Sequence, residues 1–233
     1  MQIKVMLSTK KELVIPLNYN YQLQSSIYRV LGDNPEYADF IHNDGYGRYR
    51  MFTFGPIKGK YTINDRKMVI NGNICFEVRS PSEEFCDVFE HSLLMRDTLC
   101  LFDTELEIRQ VELSDIHIEK NIVDIVTVSP IAARYNLQDG STIYYSPDQE
   151  EFTTLICRNL IAKYNAYTGK NGDTVSFRYT GNSKKIVTRY KNIWVTAYHL
   201  NGELCGTPEL LDFAYQTGLG SRSAQGFGMF NIV

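Results

Sequence analysis

Twice along this chain of 233 residues the apolar pattern runs strand, helix, strand, strand, helix, strand. That repeated order, with no low-complexity linker between its two copies, predicts an α+β fold of two tandem ferredoxin-like (β-α-β-β-α-β, RRM-like) domains, residues 1–118 and 119–233. The length fits two domains that bury cores without disulfide or metal staples. Such a fold hosts many functions, so the chemistry has to be argued from side chains.

In the first half, "MQIKVML" alternates Ile3, Val5 and Leu7 as a strand does. A helix over 19–31 presents Leu23, Ile27, Val30 and Leu31 on one face and stops at Gly32. In "NPEY", Asn34 caps and Pro35 starts a short second helix carrying Tyr37, Phe40, Ile41 and His42, which ends by Gly45. An extended "RYRMFTFGPI" leads to two strands, and "NGN" at 71–73 predicts their hairpin turn. Ser82, with Glu83 and Glu84, opens a helix to Met95, and a strand pair around 98–113 follows. In the second half, the β-branched "NIVDIVTVSPI" gives a strand and residues 148–166 a helix. Extended segments cover 173–180 and 186–200, and Thr207 with Pro208 starts a helix over 208–217. "FGMFNIV" is the last strand.

Composition excludes several classes. No stretch is apolar enough to span a membrane, and the N-terminus lacks the apolar core of a signal peptide. Five widely spaced cysteines form no C-x-x-C pair, which suits reduced thiols in a cytoplasmic protein. No spacing of His, Cys or carboxylates suggests a metal site, and no cofactor is expected. The net charge of −3 hides an uneven distribution. Residues 158–191 hold Arg158, Lys163, Lys170, Arg178, Lys184, Lys185, Arg189 and Lys191 against Asp173 alone. A local field of this sign attracts a polyanion whatever the total; a solvated lysine-rich surface is the other reading.

The chain ends "GLGSRSAQGFGMFNIV", with glycines at 218, 220, 226 and 228. A dinucleotide fingerprint would need glycine where Ser223 stands and a helix for which no room remains. A loop joining a helix to a last strand can instead turn backbone N–H groups outward into an anion-binding concavity. Gly218, Gly220 and Gly226 would shape it, and Ser221, Arg222, Ser223 and Gln225 would add donors for phosphate oxygens.

This ending resembles the G-h-G-x(5)-G-h-G loop (h, hydrophobic) of CRISPR-associated proteins of the repeat-associated (RAMP) superfamily. Within it, the chain is similar to the sixth Cas family, the endoribonucleases that cut CRISPR repeat RNA. The similarity runs the length of the chain: "IPLNYNYQLQSSIYRVL" near the start, "SPI" at 129–131 and "WVTAYHL" at 194–200. The resemblance implies metal-independent cleavage of CRISPR precursor RNA within repeats. The 2′-hydroxyl attacks the adjacent phosphate and leaves 2′,3′-cyclic phosphate and 5′-hydroxyl ends. The family's tyrosine, histidine and lysine fall on Tyr28 in "SSIYRVL", His42 in "YADFIHNDG" and Arg50 in "YRMFTFG". His42 suits proton transfer near neutral pH, Tyr28 would orient or deprotonate the 2′-hydroxyl, and which of the two is the acid stays open. Arg50 departs from lysine; a guanidinium stabilises phosphate charge but does not shuttle a proton. Arg48 is the alternative to it. Lys184, Lys185, Arg189 and Lys191 would follow the RNA backbone. The aromatic RNP signature of RNA-recognition motifs is missing, so no base stacking on the sheet is expected. The expected partner is CRISPR repeat RNA, with other Cas proteins or a second copy of the chain as further candidates and no membrane. The rival reading is a non-catalytic RNA-binding subunit of a CRISPR effector.

Overall fold

The computed structural model describes residues 1–171 and 174–233, apart from the side chains of His42 and Asp44. Its first half runs β1 (Gln2–Pro16), α1 (Asn20–Leu31), α2 (Pro35–Asp39), β2 (Thr53–Phe54), β3 (Lys58–Asn64) and β4 (Lys67–Arg79). α3 (Glu83–Leu94), β5 (Thr98–Leu101) and β6 (Thr104–Ser114) complete it. The strands form one antiparallel sheet in the order β2-β4-β1-β6-β5, with β3 also on β4. The second half runs β7 (Ile122–Thr127), β8 (Arg134–Asn136), β9 (Thr142–Tyr144), α4 (Glu150–Thr168) and β10 (Ser176–Tyr179). β11 (Lys184–Tyr190), β12 (Ile193–His199), β13 (Asn201–Cys205), α5 (Pro208–Thr217) and β14 (Phe230–Ile232) follow. Its main sheet is β10-β13-β7-β14, also antiparallel. In both sheets the first strand lies between the third and the last, which is the ferredoxin-like order. β8–β9 and β11–β12 are separate two-stranded additions.

Local chemistry explains the elements. Ile3, Val5 and Leu7 are fully buried on one face of β1, as period-two alternation requires. Asn34, Ser82 and Thr207 each accept a backbone N–H two or three residues into the helix they cap, at 3.0, 3.2 and 3.4 Å. Gly32 ends α1 in a right-handed conformation rather than the left-handed one common at such a stop.

One expectation is overturned. Asn71-Gly72-Asn73 is not a hairpin turn, because β4 runs through it unbroken. The turn lies at Asp65-Arg66, both at positive φ (46° and 60°), between β3 and β4. Gly72 instead faces Thr9, where β1 bulges between Thr9 and Leu13. The 15-residue β1 needs a continuous partner, and that requirement outweighs the local Asn-Gly preference.

The halves are tied by a buried charge. Arg79, only 1% exposed, donates to the Phe230 carbonyl at 2.6 Å, to Asn231 Oδ1 at 2.9 Å and to the Glu77 carboxylate. Its guanidinium lies 3.8 Å from the Tyr215 ring centre. No helix among the described residues is long and apolar enough to cross a membrane.

Candidate functional site

A cleft of about 600 Å³ opens between the halves. One wall is α1, through Gln24 and Tyr28, and the segment 48–52; the other is α4, the stretch 132–136 and the C-terminal loop at 220–225. Arg48, Arg50, Arg134, Arg158, Lys163 and Arg222 line it, and among the described residues no carboxylate does. The cations burden one another. Burial, then the charges of Arg222 and Arg48, lower the pKa of Arg134. An anion entering the cleft relieves that repulsion.

On the first wall, Arg50 donates a hydrogen bond to the Tyr28 hydroxyl. The Tyr28 ring packs edge-on against buried Phe52, with centroids 5.8 Å apart. Burial raises the phenol's pKa, and the Arg50 charge and hydrogen bond oppose this without cancelling it, so Tyr28 is a neutral donor at working pH. Arg50 also donates to the carbonyls of Gly47 (3.2 Å) and Tyr49 (3.4 Å). It lies against Gly45, which ends the wide turn Phe40–Asp44 that carries His42. The His42 side chain itself is outside the described residues. Met51, next along, is held at φ 45° with its carbonyl accepting from Ser80 Oγ at 2.8 Å. Left-handed backbone at a non-glycine residue is a form of strain that recurs at functional sites. Arg48 turns to the Tyr49 hydroxyl, 3.0 Å away.

The backbone of the C-terminal loop is tightly packed. All four glycines are buried with φ between 71° and 81°, and the backbone folds onto itself. A Cβ on Gly228 would stand 1.9 Å from the Leu219 carbonyl oxygen, and one on Gly226 would stand 2.5 Å from the Phe54 ring. The N–H groups of Gly218, Leu219, Ser221, Gln225 and Gly226 are bonded within the protein, to Ala214, Gly228, Ala132, Arg222 and Ser223. Gly220, Arg222, Ser223 and Ala224 line the cleft beside them, and side chains of the loop reach it too. Ser221 Oγ bonds the Ala132 carbonyl at 2.9 Å, and Arg222 Nη1 bonds Gln225 Oε1 at 2.7 Å. Arg222 Nε is buried and has no acceptor among the described residues. α1 grips the loop from below: Asn20 donates to the Gln225 carbonyl (2.9 Å) and Gln24 to the Ala224 carbonyl (2.5 Å).

Lys163 is one of eight basic residues between 158 and 191, and its sequence neighbourhood does not set it apart. It is 4% exposed and donates to the Thr217 and Gly218 carbonyls (3.2 and 2.5 Å) and to Ser223 Oγ (3.4 Å). Burial pushes its pKa down to about 7. Arg158, Asn159, Ala162 and Lys163 share one helical face of α4 at i, i+1, i+4 and i+5, a pattern that could have marked the cleft wall from sequence. Arg134 carried no such signal.

Lys184, Lys185, Arg189 and Lys191 do not line the cleft; they lie on or beside the β11–β12 hairpin. Strand alternation puts Lys185 and Arg189 on its outer face and Lys184 on the other. Lys191, in the turn, sits 4.5 Å from the Tyr21 ring centre on α1. His199 bonds Thr127 Oγ1 through Nδ1 at 3.2 Å, and burial with the Lys184 charge lowers its pKa.

Comparison with known proteins agrees with this architecture. Residues 14–112 match the family model described as CRISPR-associated protein Cas6, N-terminal, and residues 111–232 match CRISPR associated protein Cas6, C-terminal. The chain is 28% identical, over 98% of its length and 91% of the relative's, to CRISPR-associated endoribonuclease Cas6 1 of Methanocaldococcus jannaschii. It is 25% identical to CRISPR-associated endoribonuclease Cas6 of Pyrococcus furiosus, over 94% of this chain and 83% of that one. A solved CRISPR associated protein Cas6 superposes with a TM-score of 0.82 at 29% identity, covering 100% of this chain and 99% of the other. By its sequence over both halves and by its fold, this chain belongs to the Cas6 family of CRISPR-associated proteins.

Proposed function

We propose that the protein is an endoribonuclease that cuts CRISPR precursor RNA within its repeats, using the cleft between residues 1–118 and 119–233. The observation that carries this reading is the cleft lining: five arginines, no carboxylate among the described residues, and a neutral tyrosine hydroxyl bonded to one of the arginines. Relatives named as CRISPR-associated endoribonucleases supply the substrate class.

In the proposed reaction the 2′-oxygen of the scissile nucleotide attacks its own 3′-phosphate. A base takes the 2′-proton, the bond from phosphorus to the 5′-oxygen breaks, and an acid protonates that oxygen. The ends are a 2′,3′-cyclic phosphate and a 5′-hydroxyl, and the step needs no metal ion. Tyr28, held as a neutral phenol, is assigned the donor role at the phosphate or the departing oxygen. His42 then takes the 2′-proton, since an imidazole titrates near neutral pH. Arg50 balances charge growing on the phosphate and orients Tyr28. Arg222, whose Nε has no acceptor among the described residues, grips a neighbouring phosphate together with Ser221, Ser223 and Gln225. Gly218, Gly220 and Gly226 serve by shape.

The test is labelled repeat RNA incubated in EDTA with the native chain and with His42→Ala. The native chain should cut and leave cyclic phosphate ends, and His42→Ala should lose about 10²–10⁴-fold in rate. Tight binding without any cut would instead establish the rival reading, an RNA-binding subunit.

A further inference from the structure

The hairpin of β11 and β12 has two unlike faces. Thr188, Tyr190, Val195 and Ala197 face inward, and Tyr190, Val195 and Ala197 pack with Ala132 and with Phe227 of the C-terminal loop. The outer face holds Lys185, Val187 and Arg189 on β11 and Trp194 on β12, with Arg189 directly across from Trp194. Trp194 is 66% exposed and Val187 54%. A tryptophan left so far in water is an unusual use of the most costly apolar side chain to expose, and it calls for an occupant.

The surroundings say which kind. No Asp or Glu occurs from 184 to 199, where four cations do. An indole plane beside guanidinium and ammonium groups is how proteins hold unpaired nucleotides: the base stacks on the ring and the cations follow the backbone. The hairpin is also continuous with the cleft, because the Tyr190 hydroxyl bonds Gln24, a cleft residue on α1.

We infer that the outer face of the β11–β12 hairpin is a stacking platform for an unpaired base of the RNA, with Trp194 beneath the base and Arg189 and Lys185 on the flanking phosphates. This rests on the RNA reading of the cleft and adds a second contact region beside it. It lies on an added hairpin, not on the ferredoxin-like sheets.

Trp194 is the only tryptophan of the chain, so its own fluorescence reports this contact. Single-stranded repeat RNA should quench it severalfold, while inorganic polyphosphate and fully paired RNA, which offer no free base, should leave it nearly unchanged. In parallel, anisotropy of labelled single-stranded RNA should show Trp194→Ala binding about ten-fold or more weaker, with Trp194→Phe retaining most of the affinity. Trp194→Ala should keep the salt slope, whereas Arg189→Ala should lower it by about one. The inference is overturned if RNA binds by anisotropy while the fluorescence stays still, or if Trp194→Ala binds within two-fold of native. It is overturned too if quenching follows protein concentration without RNA, which would mean a second copy covers the face. Absence of any RNA binding would sink the cleft reading and this one together.

Discussion

Replacing Lys163 with methionine should flatten the pH dependence of stability that its burial implies for the native chain. The amine is enclosed by α4, the end of α5 and Ser223, and burial holds its pKa at about 7 instead of 10.5. Below pH 7 folded and unfolded chains both carry the proton, and the fold bears the full cost of a buried ammonium. Between 7 and 10.5 the unfolded chain keeps a proton that the folded one has released, so stability rises with pH. For one such group the gain from pH 6 to pH 8 is about 1.4 kcal/mol. That corresponds to roughly 3–6 °C in Tm for a chain of this size. Other titrating groups, His199 among them, are common to both proteins and cancel in the difference. Urea or thermal unfolding of native and Lys163→Met chains at pH 6, 7 and 8 measures it. A native-minus-variant stability difference that stays level or falls from pH 6 to pH 8 would refute the burial argument.

The other expectations are shorter. Arg50→Ala should lower the cleavage rate about 10²–10³-fold in a single-turnover assay, and Arg50→Lys should recover part of it by restoring charge beside Tyr28. Gly228→Ala should cost more than about 2 kcal/mol in urea unfolding, because its Cβ would meet the Leu219 carbonyl at 1.9 Å and φ is 79°. Gly47→Ala is the matched control, since it too has positive φ but open space around its Cβ; it should cost about 1–2 kcal/mol.

Much of the fold was legible because caps and periodicity agree with packing. Thr207-Pro208 and Asn34-Pro35 start helices where such pairs should, and the alternation in β1 is the core of the first sheet. The hairpin at Asn71-Gly72 misled because register along a long strand is decided by its partner, not by two residues. The C-terminal loop was recognisable, but its glycines act through buried backbone approaches that a sequence does not display. Arg79 and Lys163 were hidden for a shared reason. A charged residue in a strand or helix reads as solvent-facing until tertiary structure supplies its carbonyl partners. Tyr28 and Arg50 stand 22 positions apart, and only the packing of α1 against the segment 48–52 brings the hydroxyl to the guanidinium.

In the proposed reaction the RNA's own 2′-hydroxyl is the nucleophile, and one substrate isolates that step. Repeat RNA with a single 2′-deoxy nucleotide on the 5′ side of the cut should bind the protein normally in EDTA and remain whole, while the unmodified RNA is cut. Cleavage of the deoxy substrate at the same bond would rule out attack by the 2′-oxygen.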